Sequence, residues 1–222
     1  RFQDRELNCI NLKDQVPIYV GANGPKALAA TGAYGDGRVS AGTEPTRVMQ
    51  SNMERVRRGA EEAGRELPDD FHTSVLTYSC VLKAGESLMS DRVINETGAP
   101  VVSSLHFWYE LMLQRGNDGF IQDAIREEWE DYKRYVGNMP RERCHQTLHQ
   151  GHCAFLPDNE RQFVTPNLIR ATMGLVGEPD EIKEQVSEME KSGVKEVLIL
   201  PPVNCARENF LDFAKAIKIE PS

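Results

Sequence analysis

Apolar residues in this chain follow two patterns: short unbroken runs, and longer stretches where they recur every three or four positions. The unbroken runs are Val16–Ala22, Arg38–Gly42, Phe71–Leu82 and Glu196–Pro202. Continuous apolar, β-branched runs of this length are the mark of strands buried on both faces. The helical pattern holds from Lys26 to Tyr34 and from Thr43-Glu44-Pro45 to Gly64, with Thr43 expected as the N-cap. In the second of these, Val48, Met49, Met53, Val56 and Ala60 share one side and Arg55, Arg57, Arg58, Glu61 and Glu62 largely the other. Further helices are expected over Ser90–Gln114, with Pro100 forcing a start or a kink, and over Asp123–Tyr135, Leu168–Leu175 and Arg207–Lys218. Another starts at Gly177-Glu178-Pro179, with Ile182, Val186 and Met189 as its core stripe. Residues 1–15 read as a lead-in hairpin or loop. Strands alternating with helices define an α/β fold with a parallel sheet. The stretch 86–173 interrupts the alternation, and its polar part, 140–166, holds three of the five histidines.

Composition narrows the partners. With 40% apolar and 27% charged residues the chain can build a core, so wholesale disorder is excluded. The formal charge of −8 argues against a nucleic-acid partner, which requires a basic footprint. No apolar run approaches the roughly 20 residues of a membrane span. Cys9, Cys80, Cys144, Cys153 and Cys205 are scattered and odd in number, the pattern of reduced thiols in a cytoplasmic protein rather than a disulfide scaffold. Residue 1 is Arg, so the chain is expected to begin partway through a longer protein.

The turn Gly21-Ala22-Asn23-Gly24-Pro25 is the best candidate for chemistry. It ends a buried strand and opens a helix, the edge where parallel β/α folds place their ligands. Free N–H groups and the helix dipole favour an anion there, and glycine lets the backbone approach it closely. On spacing alone an ordinary strand-to-helix turn explains the same residues equally well.

Two longer motifs separate these readings. The run Val16 to Leu28, followed by Gly35-Asp36-Gly37-Arg38-Val39, resembles the central signature of the bacterial-luciferase-like flavin oxidoreductases. Gly174 to Glu181, leading to Ser192-Gly193-Val194-Lys195-Glu196-Val197-Leu198, resembles the helix and final strand near that family's C-terminus. Together they span most of 16–42 and 168–218 in the family's order. The resemblance implies a (β/α)8 barrel of the TIM type. The chain then covers about its second half, as a single domain over 1–222, with 86–166 as a helical insertion before the last strand.

It also implies an enzyme that monooxygenates a small organic substrate with reduced FMN and O2, or alternatively one that transfers hydride with the deazaflavin F420. A flavin reductase or F420 reductase supplies the electrons. Cofactor binding is carried over to Gly21, Ala22, Asn23, Gly24 and Pro25, where the family holds the phosphate or ribityl tail, and with less support to Ser40 and Gly42 on the next strand. Glu178 departs from the family's Thr or Ser, although a carboxylate at a helix N-terminus remains favourable. Catalytic residues contributed by the first half of the barrel have no counterpart in this sequence. Four parallel strands alone leave two edges unpaired, so a homo-oligomer or completion by another chain is expected. The rival from another class is a half-barrel that binds flavin without turnover.

The remaining clusters carry less. Cys144-His145, His149 and His152-Cys153 contain metal-ligating types. No Cys-x-x-Cys pair accompanies them, so no metal is expected, and His149 or His152 is at most a substrate contact. His106-Phe107-Trp108-Tyr109 reads as core or interface rather than as a cofactor box. One of Tyr78, Ser79 and Cys80 faces the cofactor if the strand register favours it. Glu127, Glu128, Glu130 and Asp131 read as a solvated face.

Overall fold

The computed structural model describes residues 16–218, so the lead-in over residues 1–15, with Cys9, lies outside the described residues. In chain order the elements begin with β1 (Tyr19–Gly21), α1 (Pro25–Tyr34), β2 (Gly37–Ala41) and α2 (Thr46–Glu62). Then follow β3 (His72–Thr77), β4 (Ser79–Val81), α3 (Asp91–Arg115), α4 (Arg126–Gly137) and α5 (Cys144–Leu148). The chain continues through α6 (Pro166–Thr172), β5 (Leu175–Gly177), α7 (Pro179–Ser192), β6 (Glu196–Ile199) and α8 (Ala206–Ala216). Among the described residues no helix is long and apolar enough to cross a membrane.

Four strands form one sheet in the order β1-β2-β3-β6, every neighbour parallel. The register runs Tyr19 to Gly37 to His72, and Ser74 to Glu196, so the four carboxyl ends share one edge. The single strand expected over 71–82 is broken at Tyr78. Its first part stays in the main sheet, and its second part, β4, pairs in parallel with β5. The carbonyls on either side of the break diverge accordingly: Thr77 accepts from the Leu200 N–H at 2.8 Å, and Tyr78 from the Leu175 N–H at 3.1 Å.

The two faces of the main sheet differ sharply. Val20 packs with Leu28 of α1 and Val56 of α2, and Val197 and Ile199 pack with Ile182 of α7 and Phe213 of α8. On the other face Tyr19, Leu76 and Leu198 remain 48%, 39% and 37% exposed. Parallel sheets are normally covered on both sides, and among the described residues only the helix side is sealed. A separate core forms in the long excursion between β4 and β5, where Val101 and Leu105 of α3 meet Trp129 and Tyr132 of α4, Phe163, and Leu168 of α6.

Three local expectations change. Thr43 is not the N-cap of α2; Pro45 holds that position without a side-chain cap, because Glu44 beside it turns inward to Arg38. Leu175 is not helical: α6 stops at Thr172, and Leu175–Gly177 is drawn into pairing with β4. Pro100 neither starts nor ends α3, which continues through it. Glu178 forms a capping box with Glu181 at the start of α7, and its Oε1 also accepts from the Gly85 N–H at 3.0 Å.

Helices α1 and α2 cross at two glycines. A Cβ on Gly32 would lie 1.8 Å from the Val56 carbonyl oxygen, and one on Gly59 2.2 Å from that of Ala29. An isolated helix gains about 1 kcal/mol when Gly becomes Ala. Here overpacking against fixed backbone reverses the sign. Gly32→Ala is expected to destabilise the protein by about 1–3 kcal/mol in denaturant melts; a stabilised variant would show that the helices do not touch at this point.

Candidate functional site at the carboxyl edge of the sheet

Buried strand β2 carries a guanidinium. Arg38 is 1% exposed and donates from Nε to the Ala22 carbonyl at 2.9 Å. Its other nitrogens grip both oxygens of Glu44, at 2.9 and 2.6 Å, and Nη1 also lies 3.2 Å from the sulfur of Met49. Asn52 of α2 completes the group with a bond to Glu44 Oε1 at 3.1 Å. A buried charge requires this kind of saturation, since an uncompensated one costs several kcal/mol. The arrangement ties the turn after β1 to β2 and to the start of α2.

The turn itself is split by this anchoring. Ala22 is buried, with its N–H bonded to the Val39 carbonyl at 3.2 Å and its carbonyl bonded to Arg38. Both backbone groups are engaged inward, so Ala22 holds the turn in place. Gly24 sits at the N-cap of α1 with no side-chain cap, and the first turn of that helix carries no acidic residue. Pro25 has no N–H to offer, which leaves those of Lys26 and Ala27 without intrahelical partners. A Cβ on Gly21 or Gly24 would meet nothing within 4 Å. The result is an open cradle whose donors are unpaired among the described residues, the geometry an anion occupies at a helix N-terminus.

A cleft of about 650 Å³ opens beside this cradle at the carboxyl ends of β2 and β3. Asn23, Gly42 and Tyr78 reach it from the sheet edge, Phe107 and Trp108 from α3, and Arg170 from α6. Among the described residues no carboxylate lines it, so its charge balance favours an anionic occupant. Gly42 has a φ of +84°, a left-handed conformation that only glycine adopts without strain. The Ser40 hydroxyl donates to the Gly42 carbonyl at 3.3 Å from the helix side of the sheet. Ser40 therefore shapes Gly42 and does not line the cleft. At the far wall the Tyr78 hydroxyl and the Cys153 thiol are 3.3 Å apart, and the Cys153 N–H bonds the Ser103 hydroxyl at 2.9 Å. Burial, and then the Cys153 contact, push the Tyr78 phenol far above its ordinary range, which keeps it protonated at neutral pH. A larger cleft, about 730 Å³, lies at the amino edge, against Phe71, Thr73, Gly193 and Lys195. It is remote from the turn.

Of the residues singled out from sequence, Asn23 and Gly42 line the cleft, while Gly21, Gly24 and Pro25 form the exposed side of the adjoining turn. Tyr78 takes the cleft position, whereas Ser79 and Cys80 are buried, with Ser79 bonded to Asn209 at 3.1 Å. Phe107 and Trp108 line the cleft rather than serving only as core. Arg38, Arg170 and Ser103 received no role from sequence. A charged residue within an otherwise apolar strand, as at Arg38, is the one signal that pointed to a buried partner.

Comparison with known proteins bears on the whole of this architecture. A family model described as luciferase-like monooxygenase matches residues 2–196. The chain is 28% identical over 113 residues to an F420-dependent glucose-6-phosphate dehydrogenase from Nakamurella multipartita, a match covering 50% of the chain and 29% of that protein. It is 23% identical over 200 residues to a 5,10-methylenetetrahydromethanopterin reductase from Methanopyrus kandleri, covering 89% and 48%. The solved structure of the coenzyme F420-dependent tetrahydromethanopterin reductase from Methanopyrus kandleri superposes with a TM-score of 0.55 at 21% identity, over 92% of this chain and 48% of that one. The chain thus spans less than half the length of the curated relatives it matches, and the likeness of fold accords with a partial TIM-type barrel.

The anchoring role of the buried pair is open to measurement. Glu44→Ala leaves the Arg38 charge without its carboxylate and is expected to destabilise the protein by about 3 kcal/mol. Combining it with Arg38→Met is expected to cost less than the sum of the single changes. Additive losses in denaturant melts would show that the two side chains are not coupled.

Proposed function

The chain belongs to the luciferase-like monooxygenase family, and we propose that it is the cofactor-anchoring half of an F420-dependent oxidoreductase acting on a small organic substrate. The observation that carries this reading is the uncapped start of α1, with open space at Gly21 and Gly24, next to a cleft that no carboxylate lines among the described residues. Named relatives that use F420 favour hydride transfer over FMN and O2. The N–H groups of Lys26 and Ala27 hold the phosphate of the cofactor tail, Gly21 and Gly24 make room for it, and Arg38 keeps the turn in place from behind. Asn23, Gly42 and Arg170 border the space beyond. Phe107, Trp108 and Met173 exclude water from it, and the protonated Tyr78 offers a hydrogen-bond donor at its wall. When bound, F420 supplies the hydride chemistry itself.

The open apolar face of the sheet fits the same reading. Tyr19, Leu76 and Leu198 point where the remaining strands of a (β/α)8 barrel would close over them. Residues 1–222 then form one luciferase-like barrel domain with its other strands, contributed by the same polypeptide or by another chain, and 86–166 is a helical insertion at the barrel mouth. The site of action is the cytoplasm, with an F420 reductase as the electron source.

Fluorescence titration of the chain with oxidised F420 and with FMN tests the assignment. F420 is expected to bind at least about tenfold more tightly, a difference of about 1.4 kcal/mol. Gly24→Asp, which sets a carboxylate against the phosphate, is expected to weaken F420 by at least the same factor. Preference for FMN would overturn the choice of cofactor, and unchanged affinity in the variant would overturn the site.

A further inference from the structure

The excursion between β4 and β5 brings His106 of α3 together with His149 and His152, a pair some forty residues further along the chain. His106 is fully buried on α3, and its Nε2 sits 3.0 and 3.2 Å from the two oxygens of Glu160. Facing a carboxylate, that nitrogen carries the proton, which leaves the lone pair of the neutral ring on Nδ1. His106 Nδ1 is buried and has no hydrogen-bond partner among the described residues. An orphaned acceptor of this kind destabilises the fold unless something occupies it.

His149, which ends α5, repeats the arrangement. Its Nε2 is 2.8 Å from Glu110 Oε1, so its lone pair also falls on Nδ1. That Nδ1 faces His152 Nδ1 at 3.4 Å. One ring nitrogen from each of His106, His149 and His152 lies within 4.8 Å of the other two. Nitrogens bound to one tetrahedral Zn²⁺ at about 2.0–2.1 Å stand about 3.3 Å apart, close to the His149–His152 spacing.

We propose that His106, His149 and His152 form a binding site for a divalent transition cation of the Zn²⁺ type. Glu160 and Glu110 hold the first two imidazoles in the ligating tautomer, the usual carboxylate–histidine–metal arrangement. Three imidazoles leave a fourth coordination position for water or a ligand group, and His152 lines the 650 Å³ cleft. The cation thereby fastens the 149–153 segment to α3 within one turn of the Ser103–Cys153 bond. Sequence spacing argued against a metal because it offered only the local Cys and His residues. The third ligand, His106, comes from a distant helix, and the cysteines are engaged elsewhere: Cys153 with Ser103 and Tyr78, Cys144 against the helical core.

The test uses the tag-free chain, stripped with chelator, titrated with Zn²⁺ by calorimetry and with Co²⁺ by visible absorption. One equivalent is expected to bind, with the intense bands of tetrahedral Co²⁺. His152 is exposed, so His152→Ala keeps the fold, which circular dichroism verifies, and is expected to weaken binding at least about a hundredfold. Glu160→Gln is expected to weaken it about 10–100-fold, the range for a lost outer-shell partner. Absence of binding, or affinity unchanged in His152→Ala, would overturn the site. Loss in His145→Gln alone would also overturn it, placing the cation instead on Glu110, His145 and His149.

Discussion

A single buried guanidinium joins the parts on which the proposed site rests. Arg38 lies within a strand, yet its side chain reaches the carbonyl of Ala22, the carboxylate of Glu44 and the sulfur of Met49. A charge in that position is tolerable only when fully bonded. The bonds that satisfy it also fix where the chain leaves β1 and where α2 begins. Because Ala22 has both backbone groups engaged inward, the residues after it turn outward, and the start of α1 faces the carboxyl edge of the sheet with its first amides unpaired among the described residues. The open cradle follows from the closed anchor behind it.

The parallel register gives that turn its neighbours. With β1, β2, β3 and β6 aligned in one direction, the turn at 22–25, the Gly42 bend and the Tyr78 break all emerge at one edge. The break at Tyr78 adds a second consequence. It sends β4 away to pair with β5, so the chain enters α3 beside the cleft rather than behind the sheet, and Phe107 and Trp108 become its wall. The 149–153 segment closes on the same helix through Ser103 and the histidine cluster, so the polar excursion and the sheet edge build one cavity.

The strands were legible in the sequence as unbroken apolar runs, although the structure covers them on the helix side and leaves Tyr19, Leu76 and Leu198 of the other face open. The turn at Gly21–Pro25 was legible as a strand-to-helix turn, and only the longer motifs around it set it apart from an ordinary one. What stayed hidden depends on contacts between distant residues. Thr43 looked like a cap, but the neighbouring Glu44 answers to Arg38, and pairing across the strand decided the geometry. Leu175 extended a helical pattern and was taken instead by β4. Ser40 shared a strand with cleft residues but lies on its opposite side. His106 gave no signal beside His149 and His152, since nothing in the spacing of a helix reveals which loop will fold against it.

The exposed amides at the start of α1 are the centre of the proposed anion site. Backbone amide chemical shifts of the isotopically labelled chain, recorded as oxidised F420 is added, read this directly. The largest changes are expected at Asn23, Gly24, Lys26 and Ala27, with smaller ones at Gly42 and Tyr78, while Thr73 and Lys195 at the amino edge stay fixed. Changes centred on Thr73 and Lys195, with residues 23–27 unmoved, would contradict it.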